Sequence, residues 1–252
     1  AHTLQLNLRH DEDSEFGGQD TGSASYAYAF APNWRASVSA GNAFRAPTLF
    51  QRFSIYGDPS LRPETARNFE LGLNYALQST RFGIVLYRNQ IDDLINYVSG
   101  PGSCVNGSGK YPGCYGNTKR ARLEGLTLSG ARSLAGFNLS ASLDLQNPRD
   151  LDSGKLLARR SRRHATLAAD TRVARWQLGA ELQLSGQRYD DKDNKTALGG
   201  YGLLNLHAST EVAPHVTLQA RVDNLADKDY QLANGYYTPG RLFYLGLKWS
   251  PQ

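Results

Sequence analysis

Apolar residues recur at every second position through most of this chain. Val216, Leu218, Ala220 and Val222 alternate with His215, Thr217, Gln219, Arg221 and Asp223, and Phe243, Leu245, Leu247 and Trp249 alternate with Leu242, Tyr244, Gly246 and Lys248. A period of two gives a strand one greasy face and one polar face. The layout repeats at Leu4, Leu6 and Leu8, at Phe69, Leu71 and Leu73, at Leu139, Ala141 and Leu143, and at Leu178, Ala180 and Leu182. Two segments are less regular. Ile84, Val85 and Leu86 are apolar on both phases, so their lipid face stays unassigned, while Arg120, Arg122 and Glu124 share a phase with Leu126 and Leu128. Counted together, the segments predict about twelve strands.

The connections between them alternate in length. Short ones fall at Ala31-Pro32-Asn33, Gln78-Ser79-Thr80, Ser133 to Gly136, Asp170 to Arg175 and Val212-Ala213-Pro214. Between these lie long polar or Pro/Gly-rich stretches, beginning with DEDSEFGGQDTG and NAFRAPTLFQRFSIYGDPSLRPETA. Short turns on one side and long loops on the other predict an all-β, antiparallel transmembrane β-barrel, with both termini on the periplasmic side of a bacterial outer membrane. A soluble β-sandwich or propeller has no reason to put every long loop at one end.

Bulk composition looks soluble, with 40% hydrophobic residues and a mean hydropathy of −0.50. No apolar run approaches the ~18 residues of a membrane helix. A barrel escapes that test because each strand is half polar and closure pairs every backbone group. The 14 Tyr, 9 Phe and 3 Trp suit interfacial girdles. A net charge of +5 comes without a basic run beside stacking aromatics, which excludes a nucleic-acid partner. Cys104 and Cys114 share the loop CVNGSGKYPGC, a spacing that fits a local disulfide in an oxidising compartment rather than a metal pair. Such a bridge stabilises the loop by roughly 2 to 3 kcal/mol. Two unpaired thiols are the alternative. No signal peptide precedes Ala1, so the chain is expected to be a mature fragment or the C-terminal part of a longer protein.

Several loop motifs carry a family resemblance. Phe44-Arg45-Ala46-Pro47, Gly57-Asp58-Pro59-Ser60-Leu61 and Pro63-Glu64, followed by YRNQIDDLINYV, GNTKRARLEGLTL and the closing VDNLADKDYQLANGYYTPGRLFYLGLKW, resemble the ordered signature of TonB-dependent outer-membrane receptors. Thr127 stands where that pattern usually has an acid, and Ser250-Pro251-Gln252 follow Trp249 where the family often stops on an aromatic residue. HDEDSEFGG, GQRYDDKD and GYYTPGR look most like the vitamin B12 (cobalamin) receptor branch. The resemblance implies that residues 1–252 form the second half of a barrel of about 22 strands. It further implies a missing N-terminal plug, energy coupling through TonB, and uptake of a corrinoid or, alternatively, a siderophore or haem. No catalysis, cofactor or metal is implied.

Candidate ligand contacts are the loop aromatics Phe53, Tyr56, Tyr111, Tyr115, Tyr189, Tyr236 and Tyr237, whose rings can pack on a broad ligand face. Packing within loops or anchoring in a girdle is the plainer role for any one of them. Arg122, Glu124, Glu181, Arg221 and Asp223 are expected to face the lumen and the plug, where they would pair with it or merely solvate the wall. The run Arg159-Arg160-Ser161-Arg162-Arg163 is a candidate for neutralising lipopolysaccharide at the outer-membrane lipid surface. Acidic clusters at Asp11, Glu12, Asp13 and Glu15, and at Asp190, Asp191 and Asp193, carry calcium-type oxygens but are more simply solvated loops. A barrel lipase using His164 or His207 would need a Ser-His pair on the outer face, and neither has a nucleophile motif beside it. A passive pore, with the chain closing on itself, is a third reading.

Overall fold

Twelve strands pair in chain order into one antiparallel sheet, as the alternation predicts. In this computed structural model, residues 1–99 and 113–251 are described. The wall runs through β1 (His2–Asp13), β2 (Gly17–Ala31), β3 (Trp34–Arg45), β4 (Glu64–Leu77), β5 (Thr80–Ser99), β6 (Gly113–Leu134), β7 (Phe137–Asp150), β8 (Arg163–Val173) and β9 (Trp176–Ser185). Two-residue strands β10 (Arg188–Tyr189) and β11 (Ala197–Leu198) form a small ribbon, after which β12 (Tyr201–Ala213) and β13 (Val216–Asp223) return to the wall. A second ribbon of β14 (Gln231–Ala233) and β15 (Tyr236–Tyr237) precedes the last wall strand, β16 (Leu242–Trp249). A one-turn helix, α1 (Leu49–Phe53), sits in the loop after β3, capped by Thr48 and Gln51.

Register decides which residues share a face, because cross-strand partners point the same way. One continuous row reads Gly130, Ala141, Leu167, Leu182 and Leu204, and another reads Val38, Leu71, Leu86, Leu126 and Leu145. The opposite face carries Ser142, Thr166 and Gln183. The apolar side chains are not gathered into a dry centre: Leu71, Leu86, Leu167 and Leu184 are exposed, and Phe243 is 75% so. A patch this large on a water-soluble chain would be an association hazard, whereas lipid covers it at no penalty. The buried apolar cluster among the described residues is small, made of Leu94, Ala121 and Leu157.

Two-residue turns lie at Pro32-Asn33, Gln78-Ser79, Ala135-Gly136, Ala174-Arg175 and Pro214-His215, all at one end of the sheet. Ala135 and Gly136 both have positive φ, 51° and 85°, as the tight hairpin turn with two left-handed residues requires. Beside these turns Phe30 stacks on Trp34 at 6.4 Å and Trp34 meets Tyr75 at 4.9 Å. That ring chain marks the membrane interface on the side of the short turns.

The first long connection is not a loop. β1 and β2 stay paired as far as Asp13 and Gly17, leaving a three-residue turn whose backbone N–H groups at Glu15 and Phe16 donate to Asp13 Oδ1 at 2.8 and 3.0 Å. Alternation fades there because both faces meet water, yet the backbone ladder needs no apolar face to continue. His10 pairs across this hairpin with Asp20 at 2.7 Å. The hydrogen bond that the His10 imidazolium donates to Asp20 raises the His10 pKa above its ordinary 6.5. A raised value means the contact is held on the acid side and weakens as pH climbs through the folded midpoint. The imidazole titration followed by NMR should therefore lie above 6.5 and fall back in Asp20→Asn.

The sheet stays open: β1 and β16 are its two edges and do not pair with each other. A pore closed by this chain alone is thereby contradicted.

Candidate functional site

At the long-loop end, the motifs read from sequence converge into one polar knot. Arg45 and Glu64 are cross-strand partners at the ends of β3 and β4. Arg45 Nε donates to Glu64 Oε2 at 2.8 Å, and the buried Glu64 also accepts from the Ile95 backbone N–H at 2.7 Å. Asn117, from the GNTKRARLEG segment, donates to the carbonyls of Arg62 and Asp93 at 3.0 and 2.6 Å and accepts from the Arg62 N–H at 3.0 Å. Asp93 has φ of 57°, a left-handed bend within β5. The knot fixes the loop of residues 46–63 over the rim, and the ion pair between Arg52 and Glu15 ties that loop to the first hairpin.

Above the knot lies a shelf of aromatic rings. Tyr56 meets Tyr97 at 5.9 Å, Tyr97 meets Tyr115 at 5.7 Å, and Phe50 meets Tyr115 at 6.1 Å, all edge-on. The Tyr115 N–H donates to the Tyr56 carbonyl at 2.8 Å, which locks the two loops together. Burial, and then the neighbouring phenols of Tyr56, Tyr115 and Tyr236, push the Tyr97 hydroxyl above its ordinary pKa, while Arg159 pulls the other way. Beside the shelf a pocket of about 210 Å³ is lined by Asn96, Tyr97, Thr118, Leu157, Arg159 and Asp190. Arg159 pairs with Asp190 at 2.7 Å, and Asp190 also accepts from the Asn234 N–H at 3.1 Å. Three loops from distant parts of the chain therefore meet at one carboxylate.

Of the expected contacts, Tyr56 and Tyr115 lie on the shelf and Tyr236 beside it. Tyr189 joins it only through its backbone, its carbonyl accepting from the Arg159 N–H at 2.6 Å. Phe53 lies under the Arg52 guanidinium at 4.7 Å, and Tyr237 is exposed on the β14–β15 ribbon. Tyr111 and Cys104 lie outside the described residues. Cys114 is buried and disulfide-bonded. Phe50 and Tyr97 escape sequence reasoning because their partners are far along the chain, and Arg159, expected from sequence at the lipid surface, stands instead at this pocket in its pair with Asp190.

The acidic groups of residues 190–193 organise loops. Asp191 accepts backbone N–H groups from Asp193, Lys195 and Thr196, which help hold its carboxyl below the usual range against a burial effect of opposite sign. Asp193 is held down by Lys155 and Lys192. In the other acidic stretch, Asp11 pairs with Arg9 and Glu15 with Arg52.

The polar face of the wall carries Glu181, Arg221 and Asp223. Glu181 accepts from Asn205 at 3.3 Å, and Arg221 pairs with Asp223 at 3.1 Å while lying over Tyr244 at 5.6 Å. Arg122 and Glu124 do not belong there. They share the face of Leu126 and Leu128, above the apolar band, so their expected lumenal position is corrected. Position along the strand, not side of the sheet, makes them polar. His207 and His164 lie on the polar face, not the outer face that a barrel lipase would use. His207 Nε2 is 2.9 Å from Asp170 Oδ1 across Gly179, where a Cβ would lie 2.3 Å from both. The glycine leaves room for this link between strands that are not neighbours.

An antiparallel wall with one lipid-facing surface, a hydrogen-bonded polar surface, tight turns at one end and loops clustered at the other is an outer-membrane barrel wall. More specifically, residues 1–225 match the TonB dependent receptor-like, beta-barrel family, and the chain belongs to it. Such a barrel lies in the bacterial outer membrane, and the family is one of transporters rather than enzymes. Among solved structures, the wall is similar to a mutant ferric enterobactin receptor, PfeA from Pseudomonas aeruginosa, in complex with enterobactin. The TM-score is 0.78 at 23% identity, covering 98% of this chain and 43% of that one. The siderophore receptor PirA of the same organism gives 0.73 at 21% identity, with 98% and 43% coverage. The copper transporter OprC gives 0.76 at 20% identity, with 92% and 39% coverage. At these identities the similarity concerns the fold, and the chain spans about two fifths of each of those proteins.

Proposed function

We propose that this chain forms the C-terminal wall and loop cluster of a TonB-dependent receptor that imports a ferric siderophore, with its plug and remaining strands supplied by further sequence. The open edges at β1 and β16 support the second part, since two unpaired edges in lipid leave rows of unsatisfied backbone groups. In this reading the loops capture a scarce chelate, and TonB acts on the plug through the proton gradient of the inner membrane.

The observation that carries the ligand class is the Tyr56, Tyr97 and Tyr115 shelf with Arg159 at its border. Phenol rings pack on aromatic chelate arms, and a guanidinium favours an anionic complex over a neutral one. A corrinoid also offers a broad apolar face, so cobalamin is kept as the second reading on the strength of the loop motifs. The named activities of the structural relatives, ferric enterobactin and siderophore reception, favour the first.

The full-length receptor, purified with its plug, should quench its tryptophan fluorescence saturably with ferric enterobactin, a representative catecholate complex. Tyr97→Leu is expected to raise the dissociation constant at least tenfold. Saturable binding of cyanocobalamin with no response to ferric catecholate would reverse the assignment.

A further inference from the structure

From β6 to β13 the lipid-facing surface is recessed in the half that lies toward the short turns. Gly130 stands opposite Ala141, and one pair closer to the turns Ala169 stands opposite Ala180. Two open apolar recesses of about 640 and 480 Å³ result. The first is framed by Phe82, Leu139, Leu167 and Leu182, the second by Phe137, Leu178, Leu206 and Val222, and Ala169 and Ala180 line both.

Their depth assigns them to one leaflet. Leu182, at the upper end of the first recess, lies six residues from Trp176 on β9, a climb of about 15 Å along a tilted strand. Phe82, at its other side, stands opposite Tyr75 of the short-turn girdle. The recesses therefore run from the middle of an apolar band ~25 Å tall to its short-turn border. Acyl chains of the periplasmic leaflet fill that depth, and those of the outer leaflet stop above it.

A cation stands at the foot of the first recess. Arg132 is exposed, lines that recess and lies one pair closer to the turns than Gly130 on the same face. Its neighbours there, Gly130, Leu134, Phe137 and Leu139, are uncharged. Among the described residues no carboxylate pairs with Arg132, whereas Arg88, Arg120 and Arg159 at the loop end hold Glu124, Asp152 and Asp190. At the level where adjoining hairpins carry Tyr75 and Trp176, β6 thus offers an unpaired guanidinium to the headgroup layer.

We propose that this surface binds one diacyl glycerophospholipid of the periplasmic leaflet, with one acyl chain in each recess and the phosphate on Arg132. A chain laid in a recess gains dispersion contacts on several sides that a flat wall does not give. The shared border at Ala169 and Ala180 sets the recesses side by side, as two chains on one glycerol require. A guanidinium fork matches phosphate oxygens in pairs, and a contact at the edge of a hydrocarbon layer is screened less than one in open water. The recesses separate a lipid from free phosphate, and their depth separates a periplasmic-leaflet lipid from lipopolysaccharide.

Native mass spectrometry of the full-length receptor extracted from outer membranes tests this. A retained adduct with the mass of a diacyl glycerophospholipid is expected. Its occupancy should fall at least tenfold in Arg132→Gln and in the recess-filling double variant Ala169→Leu, Ala180→Leu. It should be unchanged in Ala36→Leu, on the same face but outside the recesses. Added lysophospholipid, with one chain, should compete at least tenfold more weakly than the diacyl lipid, and inorganic phosphate should displace none. The proposal is overturned by undiminished occupancy in either variant, displacement by phosphate alone or equal competition by the lysolipid. It is overturned equally by no adduct at all, or by an adduct that is lipopolysaccharide or a second polypeptide. Should the double variant fail to assemble, Arg132→Gln decides, because it changes one exposed side chain.

Discussion

Arginine in place of Leu182 should destabilise the barrel by about 2 to 4 kcal/mol, while Gln183→Arg, one residue away, should be nearly silent. Leu182 lies in the row with Leu167 and Leu204, six residues from Trp176 at the short-turn interface. Six residues of a tilted strand climb about 15 Å, which places the side chain near the middle of an apolar band ~25 Å tall. There a guanidinium has no water and no partner. Gln183 faces the polar side, where it donates to Glu181 at 2.5 Å, and an arginine there gains a carboxylate neighbour. The readout is the folded fraction of the full-length receptor in bilayers across a urea series, followed by heat-modifiable gel mobility. Equal effects at the two positions would remove the basis for assigning lipid and lumen to these faces.

The second large effect is expected at Glu64. Glu64→Ala removes the acceptor of the buried Ile95 N–H and the partner of Arg45 together. Charge-assisted hydrogen bonds contribute about 1.5 to 3 kcal/mol each, but Arg45 is 52% exposed, so its share is reduced by solvent screening. A net loss of about 2 kcal/mol in the local opening free energy is expected, an increase in Ile95 amide exchange of roughly thirtyfold. Glu64→Gln should retain the acceptor and lose less. The consequence for function is indirect: the loop of residues 46–63, which carries Tyr56, would lose its anchor, and ligand affinity should fall with it. Unaltered exchange at Ile95 in Glu64→Ala would show that the knot does not hold the rim.

Much of this was legible in the pattern of alternate residues. Strand existence, the number of wall strands, the side of the short connections and the lipid-facing identity of Leu71, Leu167 and Phe243 all follow from a period of two, because one face of each strand meets a uniform solvent; the turns themselves are tighter than the alternation suggests, since Leu134, Asp170 to Val173 and Val212 to Ala213 belong to strands. Pattern reading failed where that asymmetry ends. Beyond the membrane both faces of β1 and β2 meet water, so the paired hairpin looked like a loop. On β6 the same face passes from hydrocarbon to headgroups between Leu126 and Glu124, so a change of depth was mistaken for a change of side.

The candidate site was less legible. Tyr56 and Tyr115 could be picked out as loop aromatics, but Tyr97 lies inside a strand segment and Phe50 in a one-turn helix, and neither announces a partner. Alternation along the chain is a local property, set by how each side chain partitions between hydrocarbon and water, and it therefore specified the wall by itself. Which loops meet is a matter of register and closure between segments tens of residues apart, carried by single contacts such as Asp190 with Arg159 and Asn234. No local periodicity encodes such contacts, so only the tertiary structure could place the rings and the cation together at the mouth.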